Sequence, residues 1–481
     1  MPAKDDELFG GKIHEECGVF GIYGKGLDVS RLAYYALYAL QHRGQESAGI
    51  LVSDGEKMTL KKGIGLVSDV FTTDTLTELK GHLALGHVNY SSVGVNPHEA
   101  QPLIFQCSNY TLGVGNNGSI INAAELKAQL AGSGSIFQTN TDSELVANLI
   151  ARYSRGSLED ALIKSMIDMK GAYCLTLMTE DTLIAVRDPY GFHPLCYGTI
   201  GEGCYVVASE SCALDVIGAK FVRDVAPGEI IIINEQGLHS IATLTPPHRK
   251  HCVFEYVYLA RPDSILDGFN VSRTRREFGH QLAREYPVEA DVVISVPDSG
   301  TVAARGYTEQ SGIPFEEGLT KNRYIGRTFI QPTQDMRNLA VRLKLNPIKE
   351  AIAGKRVVMV DDSLVRGTTS RNLVTLLKEV GAKEVHLCLS SPPVMHACYY
   401  GIDTTNEKEL VAVTHSVEEI RQMLGADGLH YLSQEGMLQA FGDAGQEFCC
   451  ACFDGKYPTG NCCVAEPKKK EKNRSLLGGK R

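Results

Sequence analysis

The sequence predicts two domains: a layered α+β domain in the first half and, in the second half, an α/β domain built on a parallel sheet. Short β segments alternate with helical stretches through the first half. In the second half, the apolar strand 357–360 is followed by two acids, a polar loop and an apolar-periodic helix, which is the order of an α/β unit. With 481 residues, the chain has room for two or three domains of about 150 residues each.

Composition and charge narrow the class of protein. Hydrophobic residues make up 43% of the chain and charged residues 22%, which is ordinary for a globular protein. The net charge of −9 offers no basic face for nucleic acid, and no apolar run approaches the ~18 residues of a membrane helix. Residues 1–16 are acidic and lack the apolar region of a secretory signal. We therefore expect a cytoplasmic protein without nucleic-acid or membrane partners, ending in a disordered basic tail at 466–481.

The first half begins with a strand pattern at 17–24, C-G-V-F-G-I-Y-G. An amphipathic helix follows, with apolar residues at helical spacing at Leu32, Ala33, Ala36, Leu37 and Leu40. After several short β segments, helices are predicted to open at 141–144 and 157–160, where T-D-S-E and S-L-E-D resemble capping boxes. The Pro-Pro pair and basic residues of 243–250 indicate a linker.

The linker divides the chain into predicted domains at 17–247 and 248–465. In the second domain, strand 292–296 ends in P-D-S-G-T, which is a good turn sequence in its own right. The strand at 357–360 ends at two acids, the place where open α/β sheets bind their ligands. A loop of hydroxyl residues and one glycine then leads to a helix predicted over Arg371 to Val380 and ended by a glycine at the C′ position.

Asp361, Asp362 and the loop after them suit a ribose 5-phosphate. Backbone N–H groups and the dipole at the start of a helix favour phosphate, and two adjacent acids favour sugar hydroxyls or Mg²⁺. For the acids alone, a solvated turn after a strand is the alternative. The loop lacks the Gly-Lys-Ser/Thr of a nucleotide P-loop, which disfavours a generic NTPase.

The whole segment 357–370, V-V-M-V-D-D-S-L-V-R-G-T-T-S, resembles the phosphoribosyl-pyrophosphate (PRPP) signature of type I phosphoribosyltransferases. The resemblance implies that Asp361 and Asp362 hold the ribose 2- and 3-hydroxyls and, with Ser299, bind Mg²⁺. It also implies a cradle for the 5-phosphate, made of Ser363, Arg366, Gly367, Thr368, Thr369 and Ser370.

The segment 318–347 is rich in lysine and arginine although the protein is acidic. A run of charges is usually a solvated face. Here the cations lie in a polar stretch between strand signals, which fits a mobile lid over a polyanionic substrate. The candidates for contact with the diphosphate are Lys321, Arg323 and Lys344.

Three segments of the first half, 17–24, Q-H-R-G-Q-E-S-A-G-I at 41–50 and G-V-G-N-N-G at 113–118, occur in the order of the class II glutamine amidotransferases and resemble them. The resemblance implies an N-terminal-nucleophile αββα sandwich in which Cys17 attacks glutamine. The α-amino group of Cys17 would be the base, since its reference pKa of about 7.7–8.0 lies near the working pH. Residues 1–16 would then be a propeptide that is cut before Cys17. The alternative is one more buried thiol in a strand.

The same resemblance assigns further residues to the glutamine site. Asn117 and Gly118 would form the oxyanion hole, and Arg43 would lie near the nucleophile. Asp142 would hold the α-ammonium of glutamine. Each has a structural alternative, because Asn-Gly is an ordinary turn and an Asp at that place is an ordinary helix cap.

One position departs from the family pattern. The family has arginine where this chain has Asn89, in G-H-V-N-Y-S-S at 86–92. That arginine is expected to grip the α-carboxylate of glutamine in bidentate fashion, which the shorter, neutral Asn89 cannot do. Our hypothesis is weak use of glutamine with ammonia-dependent synthesis intact, or else compensation by Arg43 or another cation.

The chain contains fourteen cysteines, and disulfides rarely persist in a reducing compartment. Cys174, Cys204 and Cys388 lie in strand-like runs and are expected to pack. The C-x-x-C pair of Cys449 and Cys452 is compatible with zinc, a redox pair or packing. The iron–sulfur subgroup of the glutamine PRPP amidotransferases, which the chain resembles, implies a structural [4Fe–4S] cluster with four ligands: Cys252, Cys398, Cys449 and Cys452. Cys450 could compete with Cys449, and zinc is the alternative metal.

The resemblance to this family spans residues 14–460 and implies an enzyme. Glutamine would be hydrolysed at Cys17 and its ammonia passed internally to PRPP. The products would be 5-phosphoribosylamine, glutamate and pyrophosphate, in the committed step of purine synthesis. A homo-oligomer, either dimer or tetramer, and inhibition by purine nucleotides are expected. Two alternatives are an ammonia-dependent phosphoribosyltransferase with impaired glutaminase and a non-catalytic PRPP-sensing regulator.

Overall fold

The computed structural model describes residues 17–90, 96–107, 109–243, 248–322, 345–402, 404 and 407–460. The strands of the first half are β1 (Gly18–Tyr23), β2 (Ser47–Ser53), β3 (Met58–Ile64), β4 (Leu83–Asn89), β5 (Leu103–Gln106), β6 (Thr111–Ile120), β7 (Gly171–Met178), β8 (Leu183–Arg187), β9 (Cys196–Thr199), β10 (Tyr205–Ala208), β11 (Lys220–Asp224), β12 (Glu229–Asn234) and β13 (Gly237–Ala242). Its helices are α1 (Val29–Ala39), α2 (Val67–Val70), α3 (Thr73–Glu78), α4 (Ala123–Gly132), α5 (Asp142–Tyr153), α6 (Leu158–Asp168) and α7 (Ser211–Val216).

The first half is a four-layer αββα sandwich, as expected. A seven-stranded sheet of order β11-β9-β10-β1-β4-β2-β3 lies against a six-stranded sheet of order β13-β12-β8-β7-β6-β5. Residues such as Val19, Leu85 and Cys174 form the core between the two sheets. Helix α1 packs on the outer face of the first sheet, and α5 and α6 pack on the outer face of the second.

Both helix starts predicted near 141 and 157 are confirmed. The Thr141 hydroxyl accepts the backbone N–H of Glu144, and the Ser157 hydroxyl accepts that of Asp160. The reciprocal half of the predicted capping box is absent at Thr141. The Glu144 carboxylate instead accepts from the backbone of Gln138 and Thr139, and so orders the loop before the helix.

In the second half the strands are β14 (His251–Cys252), β15 (Ile265–Leu266), β16 (Phe269–Asn270), β17 (Val292–Ser295), β18 (Leu319–Lys321), β19 (Leu345–Pro347), β20 (Arg356–Asp361), β21 (Glu384–Leu389), β22 (Gly428–Tyr431) and β23 (Phe448–Cys449). The helices are α8 (Val271–Glu285), α9 (Thr301–Ser311), α10 (Lys349–Ile352), α11 (Thr368–Glu379), α12 (Val411–Thr414), α13 (Val417–Leu424), α14 (Gln434–Gln439) and α15 (Ala451–Asp454). A π-helical turn, Glu255–Leu259, precedes α8, and 3-10 turns occupy Glu407–Glu409 and Gly442–Glu447.

The second half is built on the predicted parallel sheet. Its order is β17-β20-β21-β22, and every neighbouring pair is parallel. The apolar strand predicted at 357–360 forms the centre of β20, with Val357 and Met359 in a core below α11. The following helix was predicted to begin at Arg371 but begins at Thr368, because Thr368 to Ser370 adopt helical backbone after Gly367.

The cysteines expected to pack are buried: Cys174, Cys204 and Cys388. No disulfide joins any two cysteines in the part of the chain that the structure describes. Likewise, none of the described helices has the length and apolar character needed to cross a membrane.

A buried ion pair joins the two halves. Arg187, at the end of β8, donates to both carboxylate oxygens of Asp267, at 2.7 and 2.9 Å. Arg187 is fully buried and also donates to three backbone carbonyls, those of Gly191, His193 and Val225. Burial alone would raise the pKa of Asp267, but the charge of Arg187 lowers it below its usual value.

We expect Asp267→Asn to destabilise the protein by about 3–5 kcal/mol, because it leaves a buried guanidinium without its counter-charge. A lower thermal midpoint at neutral pH would show this. Since the pKa of Asp267 is depressed in the folded state, its stabilisation is present above about pH 4 and is lost as the pH falls towards that depressed pKa. Asp263→Asn, which removes a half-exposed partner of Arg261, is the control and should shift the midpoint far less. Equal shifts of the thermal midpoint in Asp267→Asn and Asp263→Asn would contradict the prediction.

Candidate active site

The predicted nucleophile lies at the end of the seven-stranded sheet. Gly18 pairs with Val88, which places Cys17 beside Asn89 at the last position of β4. The thiol Sγ of Cys17 donates to Oδ1 of Asn89 at 3.0 Å. Cys17 is half-buried rather than enclosed in the core. The residue that departs from the family pattern therefore contacts the candidate nucleophile directly.

Arg43 lies behind the nucleophile, in the loop after α1. Its Nε donates to the backbone carbonyl of Cys17 at 3.4 Å. Its terminal nitrogens donate to Glu210 at 2.5 Å and to both oxygens of Glu255 at 3.0 and 2.5 Å. This argues against the hypothesis that Arg43 grips the α-carboxylate of glutamine in place of the missing arginine, because two buried carboxylates already engage its charge.

Asn117 and Gly118 lie together in β6. The side chain of Asn117 is fully buried, and neither its Nδ2 nor its Oδ1 has a hydrogen-bond partner among the described residues. Leaving a buried polar group unpaired costs about 1–3 kcal/mol, so the two unpaired atoms of Asn117 are available to hydrogen-bond a ligand at this place. Gly118 has φ +125°, and a Cβ there would lie 2.3 Å from the carbonyl oxygen of Ala172. Both features suit an oxyanion site that only glycine can complete.

His87, which the sequence reasoning missed, lies beside this strand. It is fully buried, and its Nε2 lies 2.9 Å from the backbone carbonyl of Asn116. Burial lowers the pKa of His87 to about 4, so the ring is neutral near pH 7 and its Nε2–H donates to Asn116. The contact holds the backbone next to Asn117. The sequence did offer one signal for a role of His87, namely its position in G-H-V near the end of an apolar strand.

Asp142 is the first residue of α5. Its carboxylate accepts the backbone N–H of Ile120 at 2.9 Å, two residues beyond Gly118. Burial raises the pKa of Asp142. A partly buried carboxylate beside β6 is suited to binding an ammonium group, and the contact with glutamine remains a prediction.

The second site lies at the carboxyl end of the parallel sheet. Asp361 ends β20, and both Asp361 and Asp362 are 1% exposed, so the alternative of a solvated acidic turn is wrong. Asp362 accepts from the hydroxyl of Ser363 at 2.5 Å and from the hydroxyl of Ser299. Ser299 comes from the turn after β17, which is the neighbour of β20 in the sheet. The structure thus brings Ser299 to the two acids, although it precedes Asp362 by 63 residues in the chain.

The predicted phosphate loop is shorter than expected. Gly367, with φ +80°, caps α11, so Thr368 to Ser370 form the first turn of the helix. This turn still suits phosphate, because the first N–H groups of a helix have no intrahelical partners. Arg366 pairs with Glu409, and Lys321 pairs with Asp298. Arg323 and Lys344 lie outside the described residues, so the lid remains a prediction.

The four predicted cluster ligands line one cavity. Cys252, Cys398, Cys449 and Cys452 surround it together with apolar and aromatic side chains. Cys252 and Cys449 are direct partners in the parallel pairing of β14 with β23. Burial raises the pKa of Cys449 and Cys452, and the nearby Cys398 raises both further. Cys450 is part of the apolar core of the second half, against which Cys252, Cys398 and Cys452 also pack, but it does not line the cavity.

Four cysteines around one apolar cavity are a donor set that an iron–sulfur cluster can use. Within the described ranges, no three histidine, cysteine or acid side chains converge closely enough to hold one metal ion. Four thiolates around a cluster need not converge, because each binds a different iron. The apolar walls would also keep solvent from the cluster.

The chain is similar to known proteins over almost its whole length. Residues 73–274 match the glutamine amidotransferase domain and residues 263–407 the phosphoribosyl transferase domain. The amidophosphoribosyltransferase of Bacillus subtilis is 51% identical over 453 residues, covering 93% of this chain and 95% of that protein. The amidophosphoribosyltransferase of Synechococcus elongatus is 47% identical over 473 residues, covering 96% of this chain and 94% of its own.

Solved structures agree with this likeness. The glutamine PRPP amidotransferase from B. subtilis, complexed with ADP and GMP, matches with a TM-score of 0.88 at 51% identity. The match covers 92% of this chain and 97% of that one. From the identity, the coverage and the two domains in this order, we conclude that the chain belongs to the amidophosphoribosyltransferases, the pentosyltransferases with a glutamine amidotransferase domain that act at the first step of purine biosynthesis.

Proposed function

We propose that this chain makes 5-phosphoribosylamine from PRPP and glutamine, hydrolysing glutamine at Cys17 and passing the ammonia inside the protein. The supporting observation is the pairing of two prepared sites in one chain. One is the unpartnered, buried amide of Asn117 near the Cys17 end of the sandwich. The other is the buried acid pair at the carboxyl end of the parallel sheet.

At the first site, Sγ of Cys17 attacks the side-chain carbonyl carbon of glutamine, and the α-amino group of Cys17 takes the thiol proton. Asn117 and the backbone N–H of Gly118 stabilise the oxyanion; one such donor is typically worth about 3–4 kcal/mol of barrier. The protonated α-amino group of Cys17 returns this proton to the leaving nitrogen, so ammonia leaves, and water then hydrolyses the thioester to release glutamate. The step requires that residues 1–16 be removed, and mass spectrometry of active enzyme should find Cys17 at the amino terminus.

At the second site, ammonia attacks C1 of PRPP and pyrophosphate leaves. Asp361 and Asp362 would hold the ribose hydroxyls, and the turn from Ser363 to Ser370, with Arg366, would hold the 5-phosphate. Mg²⁺, held by Ser299 with the two acids, would neutralise charge on the diphosphate. Lys321, Arg323 and Lys344 would contact the same group.

A [4Fe–4S] cluster bound by Cys252, Cys398, Cys449 and Cys452 would tie the end of the chain to the start of the second domain, as a structural group. Purified protein is expected to be brown, with about four irons per chain. A stable, colourless protein that contains zinc would overturn the cluster.

Further properties follow from family membership and remain part of the proposal. We propose that the domains span 17–247 and 248–465, after the propeptide. The B. subtilis structure is complexed with ADP and GMP, and we expect purine nucleotides to bind this chain and to inhibit it. A homo-oligomer, either dimer or tetramer, in the cytoplasm completes the proposal.

The test is pyrophosphate release from PRPP with glutamine and, separately, with ammonium chloride. Release with both donors, together with one glutamate per pyrophosphate in the glutamine reaction, supports the proposal. Release with ammonia alone favours the second candidate, an ammonia-dependent phosphoribosyltransferase with impaired glutaminase, which Asn89 motivates. Release with neither donor overturns both.

Asn89→Arg is expected to lower the KM for glutamine by tenfold or more, because it restores a bidentate partner for the α-carboxylate, worth on the order of 2–5 kcal/mol. Ammonia-dependent activity should not change. Asn89→Leu is the matched control, since it also removes the oxygen that accepts the Cys17 thiol but adds no charge. An unchanged KM in Asn89→Arg would mean that another group binds the carboxylate.

A further inference from the structure

Glu255 of the second half reaches into the glutaminase half. It is the first residue of the π-helical turn Glu255–Leu259, and it is 1% exposed. Its carboxylate accepts from both terminal nitrogens of Arg43, at 3.0 and 2.5 Å, across a sequence separation of 212 residues. Nδ1 of His193 lies 3.6 Å from the same carboxylate.

This contact is electrostatically strong. Burial alone would raise the pKa of Glu255, but the charge of Arg43, the hydrogen bonds from Arg43 and the nearby ring of His193 lower this pKa below the usual range. Glu210 accepts from Nη1 of Arg43 at 2.5 Å, the nitrogen that also donates to Glu255, and Glu210 is fully buried as well. A buried pair of this kind is costly to break, since it leaves an uncompensated charge. It therefore holds Arg43 in one position.

The position of Arg43 matters because of what its third nitrogen contacts. Nε donates to the backbone carbonyl of Cys17 at 3.4 Å. The π-helical turn is itself fixed from its far side, where buried Arg275 donates to the carbonyls of Tyr256 and Ala260 at 2.7 and 2.8 Å. A rigid turn of one half thus fixes, through one arginine, the backbone of the nucleophile in the other half.

We propose that Glu255 is a positioning residue for glutamine hydrolysis, acting through Arg43 on Cys17. This rests on the proposed role of Cys17 as the nucleophile. A carboxylate whose chain neighbours pack in the core of the second half then holds the attacking residue of the first half, so the glutaminase geometry depends on how that core packs against the first half. Sequence spacing gives no hint of this, because the residues are distant along the chain.

The test is Glu255→Gln, which keeps the shape and removes the charge. We expect kcat for glutamine hydrolysis to fall about 10- to 100-fold, as for a nucleophile misplaced by about 1 Å, with a smaller change in KM. The rate of alkylation of Cys17 by iodoacetamide should fall in parallel. Ammonia-dependent pyrophosphate release by the same preparation should stay within about twofold, which also shows that the protein is folded.

The matched control is Glu229→Gln, which removes the charge of another buried carboxylate, one that pairs with Arg223 and has no contact with Arg43. It should leave glutamine hydrolysis unchanged. In Glu255→Asp, which keeps the charge, part of the lost rate should return. If Glu255→Gln does not fold, Glu255→Asp carries the test, with an intermediate loss of glutamine hydrolysis expected.

A double variant decides whether Glu255 acts through Arg43. The double variant Arg43→Met with Glu255→Gln should hydrolyse glutamine no more slowly than Arg43→Met alone, because without Arg43 the carboxylate of Glu255 no longer acts on Cys17. Losses that multiply, a parallel loss of ammonia-dependent activity, or full glutaminase in Glu255→Gln would each overturn the proposal. If the wild type hydrolyses no glutamine, the proposed function fails by itself, and the alkylation rates still test Glu255.

Discussion

Replacing Cys17 with alanine is expected to lower glutamine-dependent synthesis at least about 10⁴-fold while ammonia-dependent synthesis continues. Loss of the nucleophile removes the whole covalent path, and losses of about 10⁴–10⁶ are typical of such a change. The second site is built by the parallel sheet and does not include Cys17. Pyrophosphate release with each nitrogen donor, measured on one preparation, separates the two sites.

The control is Cys107→Ala, which removes another half-buried thiol of the first half, in a loop after β5. It should leave both activities unchanged. Glutamine-dependent synthesis that survives in Cys17→Ala would exclude Cys17 as the nucleophile. Loss of ammonia-dependent synthesis as well would mean that Cys17 supports the fold rather than the reaction.

Asp362→Asn is expected to reduce synthesis with glutamine and with ammonia alike, by at least about 10²-fold in kcat/KM for PRPP. The carboxylate is buried and receives two hydroxyl donors, from Ser299 and Ser363. The amide would place an N–H₂ group where one of these hydroxyls now donates, and it removes a negative charge that Mg²⁺ or ribose hydroxyls would use. Misplaced ligands of this kind typically cost two orders of magnitude in rate.

Asp291→Asn is the matched control, because Asp291 pairs with Arg356 at the amino end of β20, the opposite end of the same strand. Its activity should equal that of the wild type. Glutamine hydrolysis in the absence of PRPP should persist in Asp362→Asn. Normal kinetics in Asp362→Asn would remove the acid pair from the proposed site.

The local patterns of the sequence were sufficient for the elements that local physics governs. A run of four apolar residues predicted β20, and the acids after it follow at the edge where parallel sheets bind ligands. The Ser and Thr caps predicted the starts of α5 and α6. The start of α11 was missed by three residues, because threonine and serine favour loops but continue a helix once a glycine caps it.

The contacts between distant parts of the chain could not be predicted from spacing. Pairing of β14 with β23 brings Cys252 beside Cys449, and only the family resemblance had joined them. Cys449 rather than Cys450 is the candidate ligand because its thiol lines the cavity, whereas Cys450 lies in the core of the second half. The backbone direction of the two-residue strand β23 decides this.

The amino-acid order by itself determined the two domains and the acid pair, because these depend on residues adjacent in the chain, whereas the candidate nucleophile came from the order of three separate segments that resemble the glutamine amidotransferases. Only the tertiary structure decided the partners of Arg43, the orphaned amide of Asn117 and the reach of Glu255 into the other half. Periodicity states which residues are buried but not which polar groups meet inside. These contacts between buried polar groups depend on how whole layers pack together, because the packing decides whether a buried charge lies beside an opposite charge or stays unpaired.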